Sequence, residues 1–323
     1  MIFFALKRFL IAVLLLVGIS FLTFWLMHAT PGNFFDSLKL NPQISPETIA
    51  RYEKLYGLNQ PLLVQYGRWL FNVCKGEFGY SFFYNVPVSH VILSRLGNTF
   101  ILSFASLLLT WSLAIPLGVW AALHHNRLVD RSLSILSFAA FSTPSFFLAI
   151  LVLYMVSQWG ILPLGGMHSP DYESFSWPLK IFDLARHLVI PTVVLSLASI
   201  ASLQRIMRGN MLAVLHQQYI TAARAKGLPE NQVIYRHALK NAFNPMVTLL
   251  GYELSGLISG AALIEIVCSW PGLGSLMLTA VRSKDVYVVM AELLLTSSLL
   301  LIGNFLADIA LARLDPRIRY AKG

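Results

Sequence analysis

Charged side chains that could bind a partner are concentrated in one polar stretch, residues 217–245, between two long apolar segments. Its four strongest cations are Arg224, Lys226, Arg236 and Lys240, and its one acid is Glu230. A compact basic island of this kind suits the docking of a partner. Positive charge between membrane helices also commonly sets topology and does no more.

Four acids lie inside long apolar segments and form a second candidate for chemistry. They are Glu253, Glu265, Glu292 and Asp308. An ionised side chain at the bilayer centre costs roughly 2.5 to 3.5 kcal/mol, so each acid is expected to face other helices, a partner or water. They could hydrogen-bond within the fold, contact a substrate, or be protonated and inert.

Motifs for covalent, metal or nucleotide chemistry do not occur in the sequence. The chain has no GxxxxGK[ST] phosphate loop and no HExxH, CxxC or GxSxG motif, and its eight histidines form no convincing ligand cluster. We therefore predict that the chain is not an enzyme, has no catalytic residue or metal site, and binds no cofactor.

Composition places the chain among polytopic membrane proteins, because 56% of its 323 residues are hydrophobic and only 12% are charged. The net charge of +9 need not indicate nucleic acid. With the spans given below, cations greatly outnumber acids on the predicted cytoplasmic side and nearly balance them outside, as the positive-inside rule expects. We predict contact with membrane lipid and none with nucleic acid.

The pattern of apolar runs predicts an all-α protein with six transmembrane helices. The predicted spans are residues 9–27, 99–123 (interrupted by Pro116 and Gly118), 133–159 (kinked at Pro144), 188–207, 246–267 and 286–312. A basic start before an apolar run also describes a signal peptide, but the first run is too long, and His28 and Pro31 make a poor cleavage site. Both termini are therefore predicted to be cytoplasmic.

Three segments follow from these spans: residues 1–28 as the first transmembrane helix, 29–97 as a small helical extracytoplasmic insertion, and 98–323 as a core of five further helices. In the insertion, Ser45 as N-cap and Gly57 as terminator predict one helix, and a second is predicted over 61–75. A loop is predicted over 160–187. Cys74 and Cys268 both fall on or near the outer side, where we favour two unpaired thiols over a disulfide.

Local signals divide the basic stretch into two short helices. Helix formers over 219–226 are followed by Gly227, the residue best able to turn the chain. Pro229 then suits the first turn of a second helix that is predicted to end near Asn241.

This stretch resembles the EAA loop of ABC importer permeases. TAARAKGL, from Thr221, and RHALKNA, from Arg236, are similar to the peptide and nickel branch, in which Thr commonly stands where the general motif has Glu. Strings along the rest of the chain resemble B-type permeases in the same order. These are GLNQPLLVQYGRWL, GEFGYSF, ILPLGG, SWPGLG and LDPRIR.

The resemblance implies the fold of a type I ABC importer permease, with residues 217–245 as the coupling loop that contacts an ATPase subunit. The coupling residues implied are Thr221, Ala222, Ala223, Arg224, Lys226, Gly227, Arg236, His237 and Lys240. It also implies a re-entrant outer segment that contains Trp270, Pro271, Gly272 and Gly274. Glu265 and Asp308 match acids usual in the family, and their positions near helix ends, which allow partial solvation, favour a structural role over substrate contact. Glu253 and Glu292 depart from the family pattern and are candidates for substrate selectivity, or are protonated and inert.

The function implied is that of the permease subunit of an ATP-driven importer of dipeptides or oligopeptides in the cytoplasmic (inner) membrane. Implied partners are a homologous C-type permease, two ATP-binding subunits that hold ATP and Mg, and an extracytoplasmic solute-binding protein. Nickel or another small solute is the alternative cargo. From a different class, an ATP-independent channel is the alternative function, although a channel would have little use for a coupling loop.

Overall fold

A computed structural model describes residues 2–32, 59–256 and 261–314, together with the isolated residues 34, 45, 47, 49, 51, 54 and 57. The predicted helix from Ser45 to Gly57 therefore lies largely outside the described residues. Helices dominate the described part, as the apolar runs predict, and the all-α class is confirmed. A two-stranded antiparallel hairpin, β1 (Tyr80–Ser81) and β2 (Val86–Pro87), is the one departure within the described residues.

The chain forms two compact units, residues 1–98 with 272–301 and residues 99–271 with 302–323. The first unit contains α1 (Ile2–Ala29), α2 (Leu62–Val73), the hairpin, the start of α3 (Val88–Leu123), α10 (Leu273–Arg282) and much of α11 (Val286–Leu314). Its core joins α1, α2 and α11 through Phe24, Tyr66, Trp69 and Met290. Helix α2 corresponds to the helix predicted over 61–75.

The second unit is built around the 39-residue helix α6 (Trp177–Leu215). Its other elements are the rest of α3, α4 (Leu128–Ser142), α5 (Ser145–Trp159), a 3₁₀ turn (Tyr172–Ser174), α7 (Gln218–Ala225), a π-helix (Gln232–Leu239), α8 (Lys240–Gly256) and α9 (Ala262–Val267). Helix α6 packs against α4, α5, α8, α9 and the π-helix. It begins eleven residues before the predicted span at 188, so the predicted loop over 160–187 is too long.

Four described helices are long and apolar enough to cross a membrane, or five spans if the bent α4–α5 pair counts as one. The four correspond to the predicted first, second, fourth and sixth spans. The predicted fifth span includes residues 257–260, which lie outside the described residues, between α8 and α9.

The third predicted span is broken, not merely kinked. Helices α4 and α5 meet at 104°, with Thr143 and Pro144 both in extended conformations (ψ of 126° and 133°). Proline has no N–H to donate and disfavours the helical conformation of the residue before it, which explains the break. Pro116 has the opposite outcome, because α3 runs through it without interruption.

Close helix contact explains the glycine beside Pro116. A Cβ atom added to Gly118 would lie 2.7 Å from the Cβ of Met207 and 2.8 Å from the carbonyl oxygen of Gln204, both on α6. Gly118 therefore allows α3 and α6 to approach closely, and its role is packing rather than interruption of the helix.

Candidate coupling site

The basic stretch forms an elbow of two helical segments joined at Gly227. Helix α7 ends at Ala225, and Gly227 takes φ = +76°, a conformation that glycine adopts without strain. After Pro229 the chain enters the π-helix, which is rare in proteins and often found at functional positions. This segment continues without a break into α8, so the predicted end near Asn241 is wrong.

One face of the elbow is buried in the core of the second unit. Five apolar residues of the elbow contact α6, α3 and α8 there. The five are Ile220, Ala223, Val233, Ile234 and Ala238, and the core residues around them include Ala114, Val119, Met207, Met211 and Met246. Ile220, Val233 and Ala238 are completely buried, so this face holds the elbow in a fixed position on the helices.

The opposite face of the elbow is exposed and carries its positive charge. Of the nine predicted coupling residues, seven lie on the exposed face: Thr221, Ala222, Arg224, Lys226, Gly227, Arg236 and Lys240. The remaining two are different, since Ala223 is buried in the core and His237 is half-buried. Two tyrosines that the sequence reasoning did not select, Tyr219 and Tyr235, join the exposed face. Aromatic residues of this kind are typical of protein interfaces, which is the signal that could have identified them.

An ion pair crosses the turn of the elbow. Arg224 donates from Nη2 to Oε1 of Glu230 over 2.7 Å and from Nε to Oε2 over 3.2 Å. The hydrogen bonds from Arg224 hold the pKa of the Glu230 carboxyl below its usual value. Arg224 is therefore engaged within the elbow, whereas Arg236 makes no side-chain hydrogen bond within the described part of the chain.

The predicted intramembrane acids occupy distinct environments. Glu265 is completely buried and accepts a hydrogen bond of 2.6 Å from Thr99 Oγ1. Glu253, on α8, accepts one of the same length from Trp111 Nε1 on α3. Glu292 is buried in the first unit. Asp308 belongs to α11, and its side chain lies outside the described residues.

The predicted outer segment contains a tight turn. Trp270 is completely buried beside Leu102 and Ala261, and its backbone N–H donates to the Glu265 backbone carbonyl over 2.7 Å. Pro271 follows it, while Gly272 and Gly274 lie at the start of α10. In the second unit, Gly166 donates from its N–H to the Cys268 carbonyl, so ILPLGG contacts this turn. Both cysteines are free thiols, as favoured from the sequence.

A partly buried ion pair that sequence reasoning missed lies at the start of α4. Arg208 Nε donates to Asp130 Oδ1 over 2.5 Å, and Nη2 donates to Oδ2 over 2.7 Å. Asp130 is 3% exposed and also accepts from the Asn126 N–H. The available signal was a lone acid in a short polar turn, because a buried carboxylate requires a cation or several donors.

Comparison with known proteins identifies the family. Residues 114–320 match the model of the binding-protein-dependent transport system inner membrane component, and residues 1–103 match the model of the N-terminal part of such components. The chain is 37% identical to the oligopeptide transport system permease protein AppB of Bacillus subtilis over 97% of this chain and 98% of that protein.

Two dipeptide transport system permease proteins are similar over the same extent. That of Escherichia coli is 32% identical, over 99% of both chains. That of Alkalihalophilus pseudofirmus is 31% identical, over 99% of this chain and all of that protein. With the apolar helices and the two-faced elbow, these matches show that the chain belongs to the inner membrane components of binding-protein-dependent transport systems, as a B-type permease of the ABC importers.

Proposed function

We propose that this permease subunit moves dipeptides or oligopeptides inward across the cytoplasmic membrane, with the elbow and both termini on the cytoplasmic side. The relatives named for oligopeptide and dipeptide transport match almost the whole chain, which supports peptide cargo. The excess of lysine and arginine in the predicted inner segments supports this orientation.

The observation that carries the coupling role is the division of the elbow into two faces. Its apolar face is buried against α3, α6 and α8, so a force applied to the elbow reaches the transmembrane helices directly. Its exposed face offers Arg236, Lys226 and Lys240, with Tyr219 and Tyr235, to a partner surface. Two ATP-binding subunits, which hold ATP and Mg, are the partners we assign to this face and to that of the companion permease.

The transport cycle would require no covalent chemistry in this chain. A solute-binding protein delivers peptide outside, and this chain and a C-type permease enclose the path. A bundle with two conformations shifts toward the one that a partner binds more tightly. Nucleotide-dependent movement of the ATPases, transmitted through the elbow, would thus favour outward or inward access.

The first test is co-purification from detergent-solubilised native membranes with a tag after Gly323, followed by mass spectrometry. We expect a second permease and ATP-binding subunits with the wild-type chain. Arg236→Glu should reduce recovery of the ATP-binding subunits, whereas Lys75→Glu, a matched change in the predicted outer segment, should not. Recovery of a folded chain alone would contradict the proposal and favour a channel.

The second test is uptake by the reconstituted complex in vesicles. Uptake of labelled dipeptide that depends on ATP and on the solute-binding protein is the expected result. Uptake of nickel with no peptide competition would reassign the cargo while leaving the importer role intact. Flux of either solute without ATP would contradict both the peptide cargo and the importer role.

A further inference from the structure

Two arginines lie one helical turn apart on α6 and differ in their partners. Arg208 is neutralised by the buried carboxylate of Asp130. Arg205 has no carboxylate within ion-pair distance among the described residues, and its Nε atom is buried without a hydrogen-bond partner. Arginine stays charged in proteins, so Arg205 presents a cation that the described residues do not compensate.

The Arg205 guanidinium lies beside two phenylalanine rings of α4. Its Cζ atom is 5.2 Å from the ring centroid of Phe138 and 5.1 Å from that of Phe141, distances at which a ring attracts a cation. Both rings are 58% exposed. They hold the guanidinium at the α4–α6 surface and leave apolar area around it.

The position of Arg208 indicates the depth of Arg205. Arg208 is bonded to the first turn of α4, directly after the polar turn that contains Asn126. Arg205 lies about 4.5 Å further from the elbow along α6, as one rise of 1.5 Å per residue requires. A long cationic side chain at this depth extends to the level of the lipid headgroups.

We propose that Arg205, with Phe138 and Phe141, binds the phosphate of an anionic phospholipid in the leaflet nearest the elbow. Guanidinium matches phosphate oxygens with paired hydrogen bonds, and the terminal nitrogens of Arg205, which have no hydrogen-bond partner among the described residues, would supply them. Basic pockets between transmembrane helices are known to bind anionic headgroups. The occupant would thus supply the charge that Asp130 supplies to Arg208.

The surface next to the cation favours a lipid over a hydrated solute. Ile135 precedes Phe138 by three residues on α4, at the spacing of one helix face, and is 68% exposed. This stripe of Ile135, Phe138 and Phe141 gives an acyl chain apolar contact directly beside the site of the phosphate.

Native mass spectrometry of the detergent-purified complex tests the proposal, with phosphatidylglycerol and phosphatidylcholine of identical acyl chains as probes. We expect wild type to retain phosphatidylglycerol preferentially and Arg205→Gln to retain it about tenfold more weakly. Arg205→Lys should be intermediate. Arg131→Gln, which removes an exposed cation of α4, is the matched control and should equal wild type.

Equal retention of the two lipids by wild type, or equal phosphatidylglycerol retention by wild type and Arg205→Gln, would overturn the proposal. Two further results for Arg205→Gln would also overturn it, each with unchanged lipid retention. Loss of the partner permease would assign Arg205 to a carboxylate of that protein. A raised KM for peptide in neutral and anionic bilayers alike would assign it to a carboxylate of the cargo. Because lipid retention is measured without transport, its result stands apart from whether the cargo is a peptide.

Discussion

Arg224 and Glu230 form a bidentate ion pair across the Gly227 turn, with Nη2 and Oε1 2.7 Å apart. The pair joins the two helical segments of the elbow, and Glu230 is the one acid of the basic stretch. Arg224 therefore has a positioning role, whereas the sequence suggested only a docking role. Both side chains are about half exposed, so the pair contributes at most about 1 kcal/mol to stability.

Exchanging the two charges separates positioning from docking. Arg224→Glu alone should reduce recovery of the ATP-binding subunits several-fold, because two acids would then repel each other across the turn. The double variant Arg224→Glu with Glu230→Arg restores the attraction and should recover at least half of the lost binding. No recovery in the double variant would show that Arg224 itself contacts the partner.

Gly227 provides a test of the turn conformation itself. An added Cβ atom would meet nothing within 4 Å, so any effect of substitution comes from the backbone angle of +76°. Gly227→Val should impair peptide-stimulated ATP hydrolysis, since a β-branched residue in this conformation costs on the order of 1–3 kcal/mol. Gly227→Asn should be much milder, because asparagine tolerates positive φ. Equal activity of the two variants would exclude a requirement for this turn.

Gly118 is expected to be intolerant of even one methyl group. Gly118→Ala places Cβ against the α6 backbone and Met207, which should cost about 1–3 kcal/mol and lower the melting temperature in detergent. Gly209→Ala is the matched control, because Gly209 lies within α6 with no atom near its added Cβ. That variant should keep or raise stability. A lower melting temperature in both variants would indicate that these helices are sensitive to any added methyl group.

Asp285 gives a pH-dependent prediction in the first unit. The carboxyl accepts hydrogen bonds from Ser81 Oγ over 2.6 Å and from the Phe83 N–H over 3.2 Å. Its complete burial nevertheless raises its pKa above the usual value near 3.8. The pKa of Asp285 in the folded state exceeds that in the unfolded state. The stability contributed by the protonated carboxyl is therefore fully present below the unfolded pKa and is lost as pH rises through the folded pKa.

Asp285→Asn removes that titration and keeps an acceptor for both donors. We expect the variant to gain stability relative to wild type as pH rises from 4 to 8, by about 1.4 kcal/mol for each unit of pKa difference. Melting temperatures across this range measure the effect. Asp171→Asn, at an exposed aspartate, should follow wild type. A difference in melting temperature between the Asp285→Asn variant and wild type that stays constant with pH would contradict the raised pKa.

Features set by neighbouring residues could be predicted from the sequence. Gly227 and Pro229 mark the elbow because turn conformation and helix initiation depend on a few adjacent residues. The long apolar runs likewise predict α1, α3, α6 and α11. The predicted end of the second elbow segment near Asn241 was wrong because no neighbouring residue stops the helix there. Burial of the apolar face of the segment favours its continuation into α8.

Features that depend on distant residues could not be predicted. Asp130 and Arg208 are 78 positions apart, and only the packing of α4 against α6 brings them together. The 104° break after Ser142 depends on a proline, yet Pro116 breaks nothing. A proline in the sequence therefore marks a possible break and does not by itself determine whether the helix continues.

The continuity of the π-helix with α8 means that Gln232 to Gly256 is one unbroken helical path, and the turn at Gly227 precedes it. An added or deleted residue in such a path would rotate everything beyond it by about 100° and shift it by about 1.5 Å. The exposed cations and the buried apolar residues would then no longer point at the surfaces that they face now. This part of the chain should consequently accept very few changes in length during evolution.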